Sequence, residues 1–292
     1  MKYMILCDSD NVEPFTQPRQ LNIINGETIV GRIIRLLKEN GVKDVYITSH
    51  DERFDGLGAV RYEPKYNDYK PRENKGYWVS AFPVELLNEP ITFLFGDCYY
   101  SEQAIKTIIE ADTDSVLYFC SYKNKDTRYA KHHDEPFAFK VVDYELFAAH
   151  IKKVKQLKDE GKTAREPIAW ELYRSMNGID INRHILTENY IVINDETCDI
   201  DRVEDTMLIT IKTGGYKTMA KVKVKCIMEY EDLHSFPTRK IIKVGDEPFW
   251  VDGKRAEQLV NAKVCEVIEV IPDEPKEEPK TEVKKTTRKK KK

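Results

Sequence analysis

The stretch Ile91-Thr-Phe-Leu-Phe-Gly-Asp-Cys-Tyr-Tyr100 limits the fold more than any other part of the chain. Its first five residues, mostly apolar and without polar alternation, read as a strand buried on both faces, the state of strands inside parallel sheets. Gly96 permits a sharp exit from such a strand. Asp97 then falls at the strand's carboxyl end, where open α/β sheets take their ligands. Two roles are open to it: a ligand for Mg²⁺ escorting phosphates, or a cap for the helix-like segment that follows at 101–110.

Strand, loop and helix alternate on both sides of this stretch. Strands are expected at 3–7, 44–48, 59–62, 115–120 and 136–142, with short candidates at 184–186 and 190–193. Helices are expected at 28–40, 76–87, 144–158 and 166–176. In the first of these, Ile29, Val30, Ile33, Ile34, Leu36 and Leu37 recur at amphipathic spacing, and Gly41 supplies a stop. The alternation predicts an α/β domain over 1–213, with a mainly parallel sheet and helices on both faces. After Thr213-Gly-Gly215 the helical patterns thin out. Residues 220–228 alternate as AKVKVKCIM, 240–244 and 264–271 are strand-like, and one short helix fits 253–261. A small β-rich module is therefore expected over 219–271. Residues 272–292 are Pro, Glu and Lys with almost no apolar content, a composition that predicts a disordered tail.

Composition removes several classes of function. No run of 18 apolar residues is present, so no membrane span or membrane partner is expected. The first apolar run ends at Asp8, too early for a signal peptide, which predicts a cytoplasmic protein. The cysteines at 7, 98, 120, 198, 226 and 265 form no CxxC pair, and four lie in or beside apolar runs. Buried reduced thiols are expected rather than disulfides or a zinc site. The net charge of −3 conceals a basic end: residues 284–292 carry seven positive charges and no negative one. Such a tail is either a solvated end or a weak nucleic-acid contact.

Four motifs occur in order through the first 205 residues. Met4-Ile-Leu-Cys7 opens a long loop that ends in Gln17-Pro-Arg-Gln-Leu21. Residues 24–48 read INGETIVGRIIRLLKENGVKDVYIT, Phe95-Gly-Asp-Cys-Tyr-Tyr100 follows, and Cys198-Asp-Ile-Asp-Arg-Val-Glu-Asp205 comes last. Together they resemble the nucleotidyltransferases of the glycosyltransferase-A fold, a Rossmann-like group that activates sugars and related phosphates with nucleoside triphosphates. The matching family features are a Pro-Lys-Gln stretch, the segment NGKPLLERTIELLKENGVKDIVIVT, a Gly-Asp metal motif and a DIDTPEDL signature with a second metal-binding aspartate. The resemblance implies Asp97 and Asp201 as ligands of Mg²⁺ or Mn²⁺, with Asp199 a third candidate. It implies Arg19, in place of the usual lysine, as the residue that holds phosphates. Leu6, Cys7, Asp8, Tyr77 and Ser80 would complete the nucleotide site.

The chemistry agrees with that site. Nucleotidyl transfer brings an anionic phosphate to an anionic triphosphate, so charge neutralisation and in-line positioning supply most of the catalysis. Arginine's forked donors suit phosphate oxygens. For Asp199 and Asp201 a turn or helix-cap role before Val203 is also open. One departure stands out. The family's first loop begins Ala-Ala-Gly-x-Gly-x-Arg, whose glycines let backbone amides reach the phosphates. This chain has Cys7-Asp-Ser-Asp-Asn-Val-Glu-Pro-Phe15, without glycine and with three acidic side chains. Either Asp8 and Asp10 recruit additional metal, or the site no longer takes the nucleotide in the family's way.

Arg128, His132, His133 and Glu135 lie in a polar loop suited to an acceptor substrate, and Trp78 accompanies Tyr77 as a base contact or as core. Trp170 and Tyr173 read as core. In the module, Met219-Ala-Lys-Val-Lys-Val-Lys-Cys-Ile227, Tyr230-Glu-Asp-Leu233, Lys243-Val-Gly-Asp-Glu247 and Arg255-Ala-Glu-Gln-Leu-Val-Asn-Ala262 are similar to short phage-encoded proteins found among structural genes. That likeness implies docking to a phage structural protein, and a virion-associated location beside the cytoplasmic one. Two functions follow. The first is a nucleotidyltransferase acting on a sugar phosphate or similar phosphorylated small molecule, with a glycosyltransferase as its near variant. The second is a catalytically degenerate domain retained as a structural or binding part of a phage particle.

Overall fold

The protein is described here by a computed structural model covering residues 1–7, 15, 17–122, 134–202, 205–206, 209–210, 213, 219–232 and 240–272. The chain packs as two compact units, Met1–Thr213 and Gly214–Lys292.

In the first unit the elements run β1 (Lys2–Leu6), β2 (Ile23–Ile24), β3 (Glu27–Thr28), α1 (Ile29–Glu39), β4 (Val45–Thr48), β5 (Val60–Tyr62) and β6 (Ile91–Phe95). They continue as β7 (Cys98–Tyr99), α2 (Glu102–Glu110), β8 (Val116–Cys120), β9 (Pro136–Val141), α3 (Tyr144–Asp159), α4 (Ala169–Met176), β10 (Tyr190–Val192) and β11 (Cys198–Asp199). Seven of these strands form one sheet in the order β10-β8-β9-β6-β1-β4-β5. β1 pairs in parallel with both β4 and β6, and β4 with β5. Only β9 opposes its neighbours, pairing antiparallel with β6 and β8. The expected α/β class with a mainly parallel sheet is what forms. Every residue of β6 and β8 is buried, so both faces of the sheet are covered.

The helices form where apolar spacing meets a cap. Thr28 accepts the Gly31 N–H at the start of α1, whose Ile29, Val30, Ile33, Ile34, Leu36 and Leu37 are all buried. Ser101 does the same for α2 and Asp143 for α3. In the core, Phe82 packs 5.1 Å from both Phe93 and Phe147, with edge-to-face geometry that aromatic quadrupoles favour. Trp170 and Tyr173 are buried as expected, both against Tyr118.

Two expectations fail. The helix over 76–87 is instead two single turns of 3-10 helix, Trp78–Ala81 and Val84–Leu86. Pro83 lies between them; it lacks an N–H and pushes Phe82 out of the helical region, to φ −80° and ψ 116°. Residues 184–186 form no strand. His184 is drawn instead to Arg174 and Asp134, at 2.8 and 2.9 Å.

The second unit holds β12 (Met219–Cys226), β13 (Tyr230–Asp232), β14 (Lys240–Ile242), β15 (Phe249–Val251), α5 (Gly253–Asn261) and β16 (Cys265–Pro272). β12 is the centre of an antiparallel sheet ordered β15-β12-β16. Val222, Val224 and Cys226 of β12 are buried, as are Ala256, Leu259 and Val260 of α5, which accounts for the alternation along this strand. No helix among the described residues is long and apolar enough to cross a membrane. All six cysteines are free thiols. Residues 273–292, the basic tail included, lie outside the described residues.

Candidate functional site

The site is built at the carboxyl end of β6, where the chain turns through Gly96 and Asp97. A Cβ on Gly96 would stand 2.5 Å from Cys7 Sγ and 2.6 Å from the Leu6 carbonyl oxygen, so glycine is required by the close approach of β1. The Gly96 N–H donates to that same carbonyl at 3.0 Å. The turn is pinned from below by Tyr100, fully buried, whose hydroxyl lies between the Phe95 and Phe137 main chains.

Asp97 does not cap the following helix. That work is done by Ser101, whose Oγ accepts the Ala104 N–H at 2.8 Å and donates to Asp195 at 2.6 Å. β7 pairs antiparallel with β11, setting Cys98 opposite Asp199, and the Ile200 N–H donates to the Asp97 carbonyl at 2.9 Å. This pairing brings residues a hundred positions apart in sequence to one place. Close by, the N–H groups of Asp201 and Arg202 donate to the Asp205 carboxylate, at 3.0 and 2.7 Å. The Asp201 carboxylate meets Arg19, at 2.5 Å from Nη1. Arg19 Nη1 also lies 4.0 Å from Asp97 Oδ2.

These groups line a cleft of about 400 Å³ together with Leu6, Cys7, Gln20, Trp78 and Glu135. Of the residues expected at a nucleotide site, Leu6, Cys7, Arg19, Asp97, Asp199 and Asp201 all face it. Tyr77 and Ser80 are not among its lining residues. The Tyr77 hydroxyl donates to Asp159 at 2.7 Å and its ring lies under Lys155 and Lys158, while Ser80 is buried. One position on, Trp78 is turned the other way, with its ring 5.5 Å from Phe95 and exposed to the cleft. Asp8, Asp10, Arg128, His132 and His133 lie outside the described residues. Tyr69, Pro71 and Ile168 also line the cleft. Nothing in their local sequence marks them, because they arrive through the folding back of distant loops.

Asp97, Cys98 and Asp199 each offer a ligand atom within 4.8 Å of the others, the group among the described residues that best suits a metal ion. Cys98 is a poor member. Burial, then the nearby Asp97 and Asp199 charges, push its thiol well above the usual range, so the two carboxylates are the readier donors to an arriving ion. What remains is carboxylate oxygen, the donor that hard cations such as Mg²⁺ and Mn²⁺ take. The charge of the cleft points the same way. Asp97, Glu135, Asp199 and Asp201 are opposed by Arg19 alone among the described lining residues. A polyphosphate would be repelled from such a surface unless a cation came with it. The carboxylate donor set fits a divalent cation, and Arg19 now occupies part of it.

No protein-family model matches the chain, and no curated protein sequence matches it. Among solved structures, the chain is similar to a protein assigned as a glucose-1-phosphate thymidylyltransferase from Bacillus anthracis, in complex with a sucrose. The identity is 12% and the TM-score 0.47, over 72% of this chain and 94% of that one. It is also similar to the CTP:phosphocholine cytidylyltransferase LicC from Streptococcus pneumoniae, at 16% identity and a TM-score of 0.41, over 73% of this chain and 98% of that one. At such scores the fold rests on the strand order itself, with its single reversed strand β9.

Proposed function

We propose that the chain is a divalent-metal-dependent nucleotidyltransferase, moving a nucleotidyl group from a nucleoside triphosphate to a sugar phosphate or similar phosphorylated small molecule. The observation that carries this reading is the convergence of Arg19, Asp97, Asp199 and Asp201 on one cleft at the carboxyl ends of β1 and β6. Asp97 and Asp199 would hold the metal ion, with Asp201 able to join once Arg19 releases it. When bound, the ion would neutralise phosphate oxygens and the departing pyrophosphate. Arg19 would donate to the phosphates, its planar fork suiting two oxygens at once. Trp78, on the cleft wall, offers an aromatic surface for the base; of the two aromatic residues expected there, it is the one that lines the cleft. The aspartates act by placement and charge, and no residue has to form a covalent intermediate.

For the second unit we propose a docking role, residues 219–271 holding the transferase unit to a phage structural protein in the host cytoplasm or on the virion. The support is the sequence likeness quoted above. The Lys-rich tail would add a weak, salt-sensitive contact to nucleic acid.

Thermal unfolding of the full chain with CTP, UTP, GTP or ATP, with and without Mg²⁺, tests the central reading. A ligand at a hundred times its Kd adds about 2.7 kcal/mol of stability. One nucleotide is expected to raise the unfolding temperature only with Mg²⁺, and Asp97→Ala to abolish the shift. The absence of a shift with every nucleotide would favour the binding or structural role over the enzyme.

A further inference from the structure

Arg19 already sits where the proposed function calls for a soluble cation. Its guanidinium is 2.5 Å from Asp201 and 4.0 Å from Asp97, on a side chain that is only 15% exposed. The arrangement leaves it unsatisfied, since Arg19 Nε is buried and has no hydrogen-bond partner among the described residues. The backbone beneath is fixed. Arg19 opens the 3-10 turn Arg19–Leu21, the Asn22 N–H donates to the Arg19 carbonyl, and the Gln17 side chain donates to the Leu21 carbonyl at 3.0 Å. Rotation of the side chain alone can therefore move the guanidinium without unmaking these bonds.

Two demands on this group conflict. Phosphates need its donors, while a metal ion needs the carboxylates it now covers. We propose that Arg19 is a resident counter-ion of the acidic site, exchanged on ligand binding, so that metal ion and polyphosphate enter as one unit. Without ligand, Arg19 neutralises Asp201 and shields Asp97, and a divalent ion arriving alone meets a fixed positive charge. When the phosphates arrive with the ion, the guanidinium moves from Asp201 to phosphate oxygens and uncovers the carboxylate for the ion. Binding of ion and phosphate is then coupled, and thermodynamic linkage makes the coupling equal in both directions. The inference rests on the metal-dependent donor site proposed above.

Mn²⁺ binding to the full chain without nucleotide, followed by the electron paramagnetic resonance signal of free Mn²⁺, reads the shielding directly. Arg19→Gln is expected to bind Mn²⁺ about tenfold more tightly than wild type, a gain of about 1.4 kcal/mol. Arg19→Lys, which keeps the charge, is expected to stay near wild type, and Asp97→Asn to lose the site. Equal or weaker binding by Arg19→Gln, still lost in Asp97→Asn, would overturn the exchange and leave the metal site standing. No Mn²⁺ binding by a folded Arg19→Gln would overturn both. A second measurement needs no substitution at Arg19. Calorimetry on wild type should find the preformed Mn²⁺–tripolyphosphate complex binding more tightly than Mn²⁺ or tripolyphosphate alone, and equal affinities would sink the coupling.

Discussion

Replacing Gly96 by alanine should damage the protein far more than the added methyl suggests. Gly96 has no left-handed backbone angle to protect, so the whole effect is steric. The new Cβ would lie 2.6 Å from the Leu6 carbonyl oxygen, 2.5 Å from Cys7 Sγ and 3.1 Å from Ile5 Cγ2. The Leu6 oxygen belongs to β1, which is held on its other side by β4, so it cannot retreat. Relief requires β6 to draw away from β1 where the Gly96 N–H now donates to Leu6. Overpacking of this kind costs about 1–3 kcal/mol, and a weakened buried hydrogen bond adds about 1 kcal/mol. We expect a loss of about 3 kcal/mol in urea unfolding of the full chain, followed by the fluorescence of Trp78 and Trp170. Gly31→Ala is the control, because its Cβ meets an obstacle at the same 2.6 Å distance, the Thr28 hydroxyl. That obstacle is a side chain that can rotate. The lost N-cap bond, about 1 kcal/mol, is offset by about 1 kcal/mol of helix propensity. A Gly96→Ala loss below about 0.5 kcal/mol, or one matched by Gly31→Ala, would refute the claim that a rigid backbone approach dictates glycine at 96.

Two further outcomes follow from buried charge. Arg174 and Glu171 are 2% and 3% exposed and lie 3.2 Å apart. Glu171 also meets Arg165 and the Ile168 N–H, both at 3.0 Å, whereas Glu171 is the one carboxylate paired with Arg174 among the described residues, so Glu171→Leu should cost about 3 kcal/mol in urea unfolding by stranding a buried guanidinium. Glu171→Leu combined with Arg174→Met should recover most of that loss, and additive losses would contradict the explanation. His150, packed 2.9 Å from the Ser175 hydroxyl, has its pKa held below the ordinary 6.5 by burial and then by Lys153. The unfolded chain therefore takes up this proton first, and stability present above pH 6.5 should be lost as pH falls through the depressed folded value. Comparing urea midpoints of wild type and His150→Gln between pH 5 and 8 isolates this component, and identical slopes would show that His150 does not contribute.

Local sequence determined much of this protein. The short, mostly apolar run at β6, ended by Gly96, specified a strand covered on both faces, because a strand sends successive side chains to opposite faces and all five are buried. The spacing in α1 and the alternation in β12 specified which side of each faces inward. Gly96-Asp97 marked the end of a central strand, where the glycine serves both the turn of the chain and the close approach of β1. The helix expected over 76–87 does not form, because Pro83, without an N–H, breaks that segment in two. Only the tertiary structure brings Asp97, Asp199 and Asp201 to one cleft, through the pairing of β11 with β7, and shows that Ser101 rather than Asp97 caps the following helix. Likewise nothing near Arg19 in the chain announces its partner at 201. Patterns of burial are written locally because they depend on neighbours a few positions away. A cleft is made of contacts between residues that only the assembled sheet brings together.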